Sequence, residues 1–152
     1  ENINSLLPCT VQNHVYFFFF FFKQQKHGFL HNKTKFYSLY KKKIMTQLEK
    51  YAQEGLRQLQ IQDGDGPYHQ FYLAWNEYRY NPAVLKEVTD YYMVGCALSM
   101  FVSYGTISDI DTRQSIVSVA YMFISMAIEE DPSNVNYYKA RVILMHEQRE
   151  AF

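Results

Sequence analysis

The sequence predicts an all-α fold built of antiparallel helical hairpins. Three observations predict it. Apolar residues recur at helical spacing through five segments that follow Met45. Short clusters of Pro, Gly, Asp and Asn separate those segments. No two segments alternate apolar and polar residues as paired strands do. The links are short, and short links favour antiparallel neighbours.

The first helix is expected from about Gln47 to Gln62. Thr46 is a good N-cap and Glu49 follows three residues later, the pattern of a capping box. Leu48, Tyr51, Ala52, Leu56 and Leu59 form its apolar stripe. Asp63-Gly64-Asp65-Gly66-Pro67 then stops it. The second helix is expected from about Pro67 to Tyr80, with Pro in the first turn where its missing N–H costs nothing. Tyr68, Phe71, Tyr72, Trp75 and Tyr78 share one face.

Asn81-Pro82 opens a third helix, expected to run unbroken from about Pro82 to Tyr104. Leu85, Val88 and Tyr92 are read as inward; Lys86, Glu87 and Asp90 as outward. From Tyr91 the segment is apolar nearly all round, as in a helix buried between neighbours. Gly105 is expected to end it in the left-handed conformation. Asp111, with Gln114, is expected to cap a fourth helix that runs to about Glu130. Its wide apolar face holds Ile116, Val117, Ala120, Phe123, Ile124, Ala127 and Ile128. Asp131-Pro132-Ser133-Asn134 stops it, and a fifth helix starts near Val135. Tyr138, Val142 and Met145 are read as its inward side; Arg141, Glu147, Arg149 and Glu150 as its wet side.

Two parts of unlike character are expected: a tail over 1–44 and a helical domain over 45–152, with hairpins at about 47–80 and 82–130. The net charge of the whole chain is zero. The tail, however, has seven Lys against one acid, whereas 45–152 has eight Lys and Arg against fourteen Asp and Glu. Phe, Tyr, Ile, Asn and Lys, the residues of AT-rich codons, fill 24 of the 44 tail positions. The chain begins at Glu1, and its first Met is Met45. The tail is therefore expected to be translated upstream sequence; a genuine low-complexity tail is the alternative. At the other end, Phe152 falls within a helical pattern and suggests a truncated reading frame.

The apolar run Val15–Phe22 has eight residues, far short of the roughly 20 that a spanning helix needs. Its Lys residues follow the run and no small-residue cleavage site appears, unlike a signal peptide. An interfacial anchor of Phe and Lys is the remaining membrane reading. Cys9 and Cys96 are the only cysteines, too few for a disulfide framework or a zinc ligand set. A reducing, cytoplasmic setting is expected, with Cys96 as a small buried hydrophobe.

Ala120, Ile124, Ala127 and Pro132 resemble the second half of a tetratricopeptide repeat, and Tyr91, Val94 and Gly95 resemble its first-helix pattern. The similarity covers about forty residues. It departs from the family in spacing, since Pro82 and Pro132 lie 50 residues apart where the family repeats at about 34. The resemblance implies a short array whose concave face receives a peptide or partner helix, with no catalysis of its own. An unrelated small helical bundle is the plainer alternative.

Sites of chemistry are weighed in the same way. Asp63-Gly-Asp-Gly fails as a calcium loop, because Pro67, Tyr68 and Ala74 stand where an oxygen ligand, Gly and Glu are needed. His146 lacks a second His four residues on, so it is not a zincin motif. No catalytic residue, cofactor or metal ligand is assigned. Tyr80, Tyr104 and Tyr137 fall off the main stripes and are the candidate partner-binding residues. An acidic domain argues against nucleic acid. The expected partner is a protein or peptide, with self-association through the last helix as a variant. A small helical enzyme or accessory subunit is the second functional class, and membrane attachment through the Phe run the third. If the tail is foreign to the domain, deleting residues 1–44 leaves helicity and cooperative thermal unfolding intact by circular dichroism; loss of cooperativity refutes it.

Overall fold

The computed structural model describes residues 44–61 and 64–150. The expectations for the tail over 1–43, for Asp63 and for Phe152 lie outside the described residues. The described residues from Ile44 onward form one compact, all-α unit. Five α-helices follow in order: α1 (Gln47–Gln60), α2 (Gly66–Tyr80), α3 (Tyr91–Tyr104), α4 (Ile110–Glu130) and α5 (Val135–Glu150). A 3-10 helix over Pro82–Lys86 joins α2 to α3.

The helices pack in a repeating scheme. α1 lies against α2, and α3 against α4. α3 also packs on both α1 and α2, and α5 packs on both α3 and α4. Each hairpin thus offers a seat that the next odd-numbered helix fills. The core runs through this stack. Leu48, Ala52, Phe71, Ala74, Val94, Ala97 and Leu98 are fully buried. All seven apolar residues read for the fourth helix are buried as well.

Within each hairpin a glycine allows close approach. A Cβ at Gly55 would stand 2.5 Å from the Phe71 ring, and one at Gly95 would stand 2.6 Å from the Ile124 side chain. The first helix of each hairpin thus sets a hydrogen where its partner sets a bulky residue. Aromatic rings extend the contact across elements. Tyr78 of α2 meets Phe123 edge-on at 5.7 Å, and Tyr91 meets the same ring at 6.2 Å.

One carboxylate ties the two hairpins together. The capping box forms as read: Glu49 N–H donates to Thr46 Oγ1 at 3.2 Å, and Thr46 N–H donates to Glu49 Oε2 at 2.8 Å. Glu49 is nonetheless fully buried, and its other oxygen reaches across to the segment before α3. Oε1 accepts from Thr89 N–H at 2.7 Å, from the Thr89 hydroxyl at 2.9 Å and from Asp90 N–H at 2.9 Å. Burial by itself pushes this carboxyl upward. The donors at Thr46, Thr89 and Asp90 outweigh it and hold the pKa below the usual glutamate value.

Six expectations need correction. The third helix is not continuous from Pro82. After the 3-10 turn the chain breaks, and Asp90 caps a new α-helix by accepting from Met93 N–H at 2.9 Å. The pull of Glu49 on the Thr89 and Asp90 amides is incompatible with helix through those residues. Val84, not Leu85, is the buried residue of the turn. Gly105 adopts an extended conformation (φ −74°), and its need for glycine comes from the nearby Phe101 carbonyl and ring. The cap of α4 is Asp109, which accepts from Thr112 N–H at 2.8 Å; Asp111 sits in the first turn instead. The inward side of α5 is Ala140 and Leu144, while Tyr138, Val142 and Met145 are exposed. On α2, Tyr72 is likewise exposed beside a buried Phe71 and Trp75.

Two measurements test this packing. Glu49→Gln replaces an acceptor oxygen by a donor amide facing donors, so unfolding free energy falls by about 2–3 kcal/mol. Because the folded carboxyl is depressed, its contribution is present above the usual value of 4.5 and is lost as pH falls through the lower folded value. Urea titrations between about pH 3 and about pH 7 are expected to show a shallower acid limb in the Gln variant than in the parent. In the second, Gly95→Ala lowers stability by about 1–2 kcal/mol despite the helix-propensity gain of Ala. Adding Ile124→Val restores part of that loss, whereas additive losses in the double-mutant cycle would refute the close contact.

Candidate functional site

Among the described residues, α5 carries an exposed apolar face. Tyr137, Ala140 and Leu144 hold this helix to the stack: Ala140 and Leu144 are buried, and the Tyr137 ring sits 4.6 Å from that of Tyr92 on α3. About 140° around the helix lies a second apolar stripe. It holds Val135 (62% exposed), Tyr138 (37%), Val142 (64%) and Met145 (43%). Single exposed apolar residues need no explanation, but four in register on one helix face do. Arg141 stands beside the stripe with its guanidinium carbon 5.4 Å from the Tyr138 ring centre, and Lys139 is exposed on the other flank. Residues 135–146 include no acid.

The stripe shares its spacing with a buried pair. On α3, Tyr91 and Gly95 meet α4 through Phe123 and Ile124. On α5, Tyr138 and Val142 have the same four-residue spacing, with a valine side chain where α3 has Gly95. The sequence marks the stripe as an apolar face. Periodicity alone does not rank it below the Tyr137–Leu144 side, and this is why the two were exchanged.

The candidate tyrosines occupy different places. Tyr80 ends α2 and is 76% exposed, with the Arg79 guanidinium 5.5 Å from its ring centre. Tyr137 is half-buried against Tyr92 and contributes to the packing of α5. Tyr104 closes α3, and its side chain lies outside the described residues.

The interior offers little chemistry. Burial pushes the Cys96 thiol above its usual value, against a lowering contact from the Tyr92 hydroxyl. Burial likewise raises the Tyr92 phenol. A thiol kept neutral is a packing group rather than a nucleophile. Among the described residues no three of His, Cys, Asp and Glu converge as a metal site. Among the same residues no helix is long and apolar enough to cross a membrane. No protein-family model matches the chain, and neither a curated protein nor a solved structure matches it.

Proposed function

We propose that residues 45–152 act as a protein-interaction module of tetratricopeptide-like design, binding a polypeptide and performing no catalysis of their own. The observation that carries this reading is the exposed apolar stripe on α5, flanked by Arg141 and Lys139. Two features support the tetratricopeptide-like part. Every odd-numbered helix after the first seats on both helices of the preceding hairpin, which is how such arrays propagate. Gly55 against Phe71 and Gly95 against Ile124 also repeat one small-on-large contact in successive hairpins. The irregular spacing is accommodated by the 3-10 turn and by the length of α4.

An interaction module needs an apolar surface that water covers only at a cost, and a rim that selects. The α5 stripe supplies the first and its two basic flanks the second. The test is capture from the source cells by the full chain, with mass spectrometry of what is retained and light scattering of the chain alone. A polypeptide retained in fixed stoichiometry is expected. A monomer that retains nothing, yet turns over a metabolite in an activity screen, would replace this reading with that of a small enzyme.

A further inference from the structure

Resting on the interaction reading, we infer that the α5 stripe is the seat of one acidic amphipathic helix, laid along α5. Three observations combine. The first is the four-residue spacing of Tyr138 and Val142, which with Val135 and Met145 sets four exposed apolar side chains on one side of α5. A ridge of this i, i+4 kind packs into the groove of another helix. The second is the length of the stripe. From Val135 to Met145 it runs about 15 Å at the helical rise, or three turns, enough to order a short partner helix along it.

The third is charge. The domain as a whole has fourteen acids against eight bases, yet α5 presents Lys139 and Arg141 beside the stripe with no acid from 135 to 146. A local positive rim on an acidic body attracts an acidic segment there and repels it elsewhere. A second copy meeting α5 through the same face would bring the two basic flanks together, which disfavours it as the occupant. The bound helix brings large apolar residues against Tyr138, Val142 and Met145, and Asp or Glu against the two bases.

The experiment uses the full chain and fluorescent helix-stapled peptides of about twenty residues, long enough to span the stripe. One peptide carries Leu at i, i+4, i+7 and i+11 with Glu on its flanks; the other has Lys in place of Glu. Fluorescence anisotropy at low salt is expected to show the Glu peptide binding at least about tenfold more tightly than the Lys peptide. That preference is expected to shrink as salt rises. Val142→Asp, at a position 64% exposed, is expected to leave the melting temperature unchanged and to abolish Glu-peptide binding. The double variant Lys139→Glu with Arg141→Glu is expected to exchange the preference. Equal binding of both peptides, binding of neither, or binding that survives Val142→Asp overturns the inference. So does a dimer in light scattering that Val142→Asp dissolves, which would assign the stripe to a second copy. If the unaltered chain captures a cellular partner and Val142→Asp captures it equally well, the interaction reading stands and this seat for it does not.

Discussion

A buried carboxylate governs the architecture. Glu49 accepts five hydrogen bonds, two from Thr46 and three from Thr89 and Asp90. Two of these satisfy the first turn of α1, and three fix the chain that leads into α3. A charge without solvent is tolerated only with such a set of donors, and removing any one of them exposes the cost of the rest. The entry point of α3 is therefore dictated by a residue of α1, and the second hairpin is hung from the first at one place. The residues between Lys86 and Tyr91 are non-helical for this reason and not for want of helix propensity.

From that anchor the stack follows by packing. Gly55 and Gly95 let each hairpin close tightly, and the tight closure leaves a cleft that the next odd-numbered helix fills. Phe123 has a central place in this arrangement, since rings from both α2 and α3 contact it. α3 is buried on every side because it belongs to both hairpins at once, as its nearly uniform apolar composition requires.

What the sequence disclosed was local. The Thr46–Glu49 box is an i, i+3 pattern, and both of its bonds form. The apolar face of α4 has a single periodic solution, and every residue of it is buried. The second use of Glu49 was hidden because its partners lie 40 residues away and are mostly backbone groups, which leave no side-chain signature. The cap at Asp90 was masked by an apolar pattern that runs on without a phase change from Val88 to Tyr92. Asp109 and Asp111 are both plausible caps two residues apart, and only the loop geometry selects between them. On α5 two apolar stripes compete, and the winner is chosen by Tyr92, a residue of another helix. The candidate site was thus visible as a stripe, and what it faces was set by tertiary contact.

The one-sided attachment of α5 also shapes how the domain breathes. α5 packs on α3 and α4 through the face of Tyr137, Ala140 and Leu144, and its opposite face is exposed. Its amides are expected to open at lower free energy than those around the buried Glu49. Any ligand that settles on its outer face closes that opening. The C-terminal helix then becomes a gauge of occupancy, exchanging its backbone hydrogens quickly when bare and slowly when covered, while the rest of the stack keeps its own rate.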